Sequence, residues 1–202
     1  ANPDVLDRKV IDTFEFVSDH IVWTGTATGA YEAYIERGYE PLETIESYNT
    51  HMKEIFRYYG LDGSSINHDP KQIRENVRLA QPYGYMYAAG SHTGVQRDVM
   101  ANLLAPFTTA SWGLTHEIGH RMDVSVRTIG EVTNNMLPMY MSVFYDAIDN
   151  RIPFESSVYK QVISENPISY WDRGLTEKLA AFWQLELYKP GYWGEVNKFY
   201  RE

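Results

Sequence analysis

Residues 111–135, SWGLTHEIGHRMDVSVRTIGEVTNN, constrain this chain more than any other stretch. They place His116, Glu117 and His120 in the order His-Glu-x-x-His and follow them with another acid, Glu131. Chance supplies roughly 0.01 such motifs in a chain of this size and composition. Leu114, Ile118 and Met122 recur every four residues and form one apolar stripe of a helix. His116 is two residues past Leu114, so it points about 200° away around the helix axis. His120 is one turn further on, on the same face as His116. One side of the helix is therefore anchored in a core while both imidazoles turn toward a cleft. Two imidazoles at this spacing can meet one zinc ion at about 2.0–2.1 Å. Glu117, directly after the first imidazole, takes the place of the general base that removes a proton from water.

A catalytic zinc needs a third protein ligand and an open fourth position. A metzincin continuation would put glycine at 123 and histidine or aspartate at 126. The chain has Asp123 and Val126 instead. Glu131 stands directly after Gly130, at the start of what reads as a second helix, EVTNNMLPMYMSVFYDAI. Folded back on the first helix, it completes a His, His, Glu set, the gluzincin arrangement. The competing reading of Glu131 is an acid placed to favour a helix N-terminus. Asn135, four residues later on the same face, can accept a ring N–H from a metal-bound histidine. Asn134 is the alternative for that role, and Asp123 a third candidate. Gly119 costs about 1 kcal/mol relative to alanine inside a helix. Either a close approach by backbone or substrate, or tight helix packing, explains it.

Around this centre the chain reads as α+β. The expectation is a zincin-like domain with a mixed-sheet N-terminal lobe, a mainly helical C-terminal lobe and the active-site helix between them. Strand candidates lie in KVIDTFEFVSDHIVWTG, in 76–80 and in 83–88, and a short helix ends at Gly38. Leu42, Ile45, Tyr48, Met52, Ile55, Phe56 and Tyr59 carry a helical period that stops at Gly60 and Gly63. From 108 onward the pattern is mostly helical, with Leu175, Leu179, Phe182 and Leu185 as a late stripe assigned to the core. A length of 202 residues fits a single catalytic domain over 1–202, with approximate lobes 1–123 and 124–202. The opening ANPDVLDRKV reads as a mature or excised chain.

The net charge of −9 and the lack of a basic stripe argue against nucleic acid as a partner. Lys71, Arg74 and Arg78 are diluted by Glu75. With no cysteine, disulfides and thiolate metal sites are excluded. No apolar run approaches membrane-spanning length. Sixteen tyrosines and five tryptophans pair apolar faces with polar tips, which suits either a cleft for peptides and glycans or an ordinary core.

The segments WGLTHEIGH and GEVTNN, with YMYAAGSHTGVQ upstream and LTEKLAAFWQLELY downstream, resemble the enhancin-like metallopeptidases. These are gluzincins that include viral enhancins and bacterial mucin-degrading proteases. The resemblance covers about 15–200. It implies one Zn2+ held by His116, His120 and Glu131, with Glu117 as base. It also implies a secreted or cell-surface endopeptidase acting on O-glycosylated, mucin-like proteins.

Substrate-binding candidates are His92, in AAGSHTGVQ, and Trp171 and Arg173, ahead of the last long helical pattern. His92, Tyr140, Tyr145 and Tyr170 are candidates for the donor that a tetrahedral oxyanion requires. Two rival readings remain: a zinc-stabilised, catalytically silent glycoprotein-binding module, and an aminopeptidase-type gluzincin. Glu117 argues against the first, since a structural zinc needs no base and closes its fourth position with protein. The second needs an acidic anchor for a substrate N-terminus, and none stands near the motif.

Overall fold

The computed structural model describes residues 12–79, 85–96, 99–107, 111–146, 152, 157–162 and 169–202. Among them, strands β1 (Phe14–Val17), β2 (Ile21–Gly25), β3 (Glu75–Leu79), β4 (Met86–Ala88) and β5 (Thr93–Val95) form one five-stranded sheet in the order β1-β2-β3-β5-β4. The sheet is mixed. The β2–β3 and β3–β5 pairs are parallel, while β1–β2 and β4–β5 are antiparallel. The helices are α1 (Ala27–Tyr31), α2 (Pro41–Tyr58), α3 (Met100–Leu103), α4 (Trp112–Met122), α5 (Gly130–Thr133), α6 (Met136–Phe144), α7 (Ser157–Val162), α8 (Leu175–Tyr188) and α9 (Tyr192–Phe199). The fold is thus α+β, as the sequence implies.

Helix α2 starts with Pro41 in its first turn, where a missing N–H costs nothing. It buries Tyr48, Met52, Ile55 and Phe56 against the sheet residues Ile21, Trp23 and Val77. Leu42, assigned to the same stripe, lies at the solvent end of the helix and is exposed. Helix α4 buries Leu114 and Ile118 completely and packs on α6 and on the edge strand β4. Helix α8 departs from the expected stripe. Leu179, Ala180 and Trp183 face the core, while Leu175 and Leu185 are exposed. The large indole of Trp183 takes the buried position and rotates the stripe.

Strand β5 escapes the sequence pattern because it is three residues long with a central glycine, a composition that favours strands weakly. Strand β3 begins at Glu75, one residue earlier than expected, and β4 occupies the described end of the 83–88 candidate; positions 80–84 lie outside the described residues. The expected helix over 131–148 is two helices. Gly130 is left-handed (φ 35°), Glu131 leaves helical geometry (ψ 15°), and α6 restarts at Met136. Pro138 requires that restart, because only a first turn accepts a residue without an N–H. Among the described residues, no helix is long and apolar enough to cross a membrane.

Candidate metal centre

Helix α4 runs beside β4, and a cleft of about 730 Å3 opens between them. His116, Glu117, His120 and Arg121 line it from the helix, 86–90 line it from the hairpin, and Glu131 closes it from α5. The two imidazoles stand edge to face with centroids 4.7 Å apart. Glu131 reaches both, its carboxylate oxygens lying 3.2 Å from His116 Nε2 and 3.3 Å from His120 Nε2. One ligand atom from each of the three residues falls within 4.8 Å of the others, close enough to share one ion. Two neutral imidazoles and one carboxylate are a donor set that suits zinc. Glu117 stands apart from that set, with its carboxylate 4.0 Å from His116 Nε2. Burial raises the Glu117 pKa above the usual carboxylate value. Both histidines and the nearby backbone at Ala88 pull it down, and Glu131 pushes it up.

The non-helical turn at Glu131 brings its carboxylate over α4. Two features hold that turn. Asp123, at the C-terminus of α4, accepts the Thr133 hydroxyl and pairs with Arg127 at 2.9 Å. It touches no metal-ligand candidate, so its place is at the joint between α4 and α5. Gly119 provides the second feature. A Cβ there would meet the Asn134 carbonyl oxygen at 2.6 Å, so only glycine lets α5 approach α4 this closely.

Asn135 joins three groups. His116 Nδ1 donates to Asn135 Oδ1 at 2.7 Å, Trp112 Nε1 donates to the same oxygen at 3.1 Å, and Asn135 Nδ2 donates to the Glu131 carbonyl at 2.6 Å. Asn134 is fully buried. Its Nδ2 lies 3.0 Å from His120 Nε2 and 3.2 Å from His116 Nε2, in reach of the lone pairs a metal would take, and its Oδ1 has no hydrogen-bond partner.

The substrate candidates do not converge on the cleft. His92 is buried within the β4–β5 hairpin, contacting the Tyr87 hydroxyl and Ser91 Oγ, both at 3.2 Å. Trp171 is exposed beside Tyr170, and neither it nor Arg173 is among the cleft-lining residues. Tyr140 hydrogen-bonds Glu54, and Tyr145 hydrogen-bonds His51. The Tyr170 hydroxyl is buried without a hydrogen-bond partner and also lies outside the cleft lining. Arg121 also lines the cleft, and nothing in the sequence shows that an arginine there meets the buried Glu75.

Residues 6–195 match the family described as Peptidase M60, enhancin and enhancin-like, and the chain belongs to that family of metallopeptidases. Among solved structures, the catalytic module of the metalloprotease ZmpA from Clostridium perfringens is 29% identical with a TM-score of 0.78, over 98% of this chain and 40% of that one. The M60 catalytic domain of Clostridium perfringens ZmpC, in complex with the sialyl T antigen, is 25% identical with a TM-score of 0.78, over 98% of this chain and 41% of that one. The ZmpB metallopeptidase of the same organism has a TM-score of 0.80 at 23% identity, a likeness of fold, over 98% of this chain and 42% of that one. The chain thus spans about two fifths of the length of these structures. No curated protein sequence matches it.

Proposed function

We propose that this chain is a zinc-dependent endopeptidase unit acting on O-glycosylated, mucin-like proteins outside the cell. The observation that carries the reading is the meeting of His116, His120 and Glu131 in an open cleft, with Glu117 beside them but outside their set. His116, His120 and Glu131 would hold the zinc. When bound, zinc polarises a scissile carbonyl and brings the pKa of water toward about 7.

The remaining steps belong to the protein. Glu117 accepts a proton from the attacking water at its carboxylate and returns it to the leaving nitrogen. Its carboxylate lies outside the His116, His120 and Glu131 set, which leaves it free for that transfer. Strand β4 supplies the peptide site. Ala89 N–H and the Tyr85 carbonyl pair inward with β5, so antiparallel alternation turns the backbone groups of Met86 and Ala88 outward to the cleft. An extended peptide can add to that edge as a further strand. A glycan-bearing substrate is favoured by the solved complex of the related ZmpC domain with the sialyl T antigen.

The test is digestion of a sialylated mucin and of its deglycosylated form by the zinc-loaded wild type and by Glu117→Gln. The wild type should cleave the glycosylated form, while Glu117→Gln keeps its zinc and loses nearly all turnover, because an amide cannot take a proton from water. Turnover near wild type in the zinc-loaded variant would place the base elsewhere. Equal cleavage of both substrate forms would remove the glycan requirement.

A further inference from the structure

We propose that Arg121 is a positioning residue that sets the gap between edge strand β4 and helix α4, and so governs how a peptide is bound rather than how the metal is held. This rests on the peptidase reading above.

Arg121 follows His120 directly and lines the cleft beside it. Its guanidinium reaches two elements at once. Nε donates to Glu75 on β3 at 2.9 Å, and Nη1 donates to the Ala89 carbonyl, just past the end of β4, at 2.6 Å. Glu75 is 3% exposed and also accepts the hydroxyl of Thr93, on β5, at 2.9 Å. One arginine thus ties α4 to β3, to β5 and to the hairpin that forms the opposite wall. The Ala89 carbonyl is thereby held against the helix one turn past Glu117.

Stability alone does not explain such a pair. A buried ion pair is often no better than apolar residues of the same volume. Geometry does explain it. The guanidinium is a rigid planar fork that serves two acceptors in fixed directions, which a lysine ammonium on a flexible stem cannot do. A cleft bounded by a short edge strand needs such a fixed wall, since a wall that must be ordered when the peptide docks lowers the peptide's affinity.

The experiment compares wild type, Arg121→Lys and the double variant Glu75→Gln/Arg121→Gln, all loaded with zinc. The double variant removes both charges together and leaves no unpaired buried carboxylate. The lysine variant keeps a charge beside Glu75 and guards against failure of the double variant to fold. Three quantities are read: zinc affinity against a competing chelator, amide hydrogen exchange over 86–93, and KM and kcat on a quenched O-glycosylated peptide. Zinc affinity should stay within about threefold of wild type, since no ligand is touched. Exchange over the hairpin should quicken about tenfold or more in both variants, the signature of a locally loosened wall. KM should rise about tenfold with kcat nearly unchanged, the pattern of lost uniform binding. Unchanged exchange overturns the proposal, and so does a fall in zinc affinity with KM unmoved. If zinc-loaded wild type cleaves nothing, the peptidase reading fails. The exchange measurement then still decides whether Arg121 holds the hairpin to the helix.

Discussion

The Asn135 amide shows why that position carries an amide rather than a carboxylate. Its oxygen receives two N–H donors, from His116 and Trp112, while its nitrogen donates to the Glu131 carbonyl. A carboxylate would keep the first two contacts and lose the third, placing an anionic oxygen against a carbonyl. Asn135 therefore orients one ligand candidate and holds the backbone of another. Asn135→Ala should lower zinc affinity about 10- to 100-fold, the usual effect of losing a hydrogen bond to a ligating histidine. Asn135→Asp should fall between the two, keeping the histidine contact. An affinity for Asn135→Ala equal to wild type would mean that the bond to His116 does not tune the metal. At this scale the pairing of His116 with His120 was readable, because helix periodicity puts them on one face, while the place of Glu131 depends on the non-helical turn after Gly130. The sequence left Asn134 as an alternative to Asn135 and was silent on Arg121, whose contacts depend on how close β3 and the hairpin come to α4.

Between elements, two joints hold the centre in shape. The first is Gly119. In an isolated helix, alanine would be favoured over this glycine by about 1 kcal/mol. In the fold, a Cβ would meet the Asn134 carbonyl at 2.6 Å, a backbone atom that cannot swing away as a side chain could. Overpacking of this kind costs about 1–3 kcal/mol, so the clash outweighs the propensity. Gly119→Ala should lower the melting temperature and weaken zinc binding, because α5 carries Glu131. A stabilised variant with unaltered zinc affinity would show that the approach of α5 is not fixed here.

The second joint is His51. It is fully buried on α2 and lies within 3.2 Å of both the Thr115 hydroxyl on α4 and the Tyr145 hydroxyl at the end of α6. Burial pushes its pKa from the ordinary 6.5 down to about 3. The unfolded chain therefore binds a proton that the folded chain refuses. The stability contributed by neutral His51 is complete above pH 6.5 and is lost as pH falls toward 3, at up to about 1.4 kcal/mol per pH unit. Denaturant unfolding between pH 7 and pH 4 should show wild type losing stability more steeply than His51→Gln. Parallel curves would show that another group governs the acid limb. His51 was not legible in the sequence, since a lone histidine carries no record of the helices that will cover it. The break between α5 and α6 was legible in Pro138 but was masked by the continuous apolar pattern around it.

Across the whole molecule, the candidate metal centre draws on the sheet and on the helices that follow it. The hairpin wall comes from the sheet, His116 and His120 come from α4, and Glu131 comes from α5, which packs on α8. A sheet followed by helices was foreseeable from the change in hydrophobic period along the chain. The register that sets β4 at the edge beside α4 was not, because it depends on the short strand β5. A metal that joins elements from different parts of the chain binds the folded state and not the unfolded one, so it must stabilise the whole fold. At a hundredfold excess over Kd that stabilisation is about 2.7 kcal/mol, or about 5–10 °C in Tm for a chain of this size. Glu131 separates a shared metal centre from a pair of histidines that happen to face one cleft. The most direct measurement is the Tm of chelator-stripped wild type and of Glu131→Ala as zinc is added. The account predicts a rise of that size in wild type and almost none in Glu131→Ala at the same zinc concentrations. An equal rise in both proteins, or none in wild type, would contradict it.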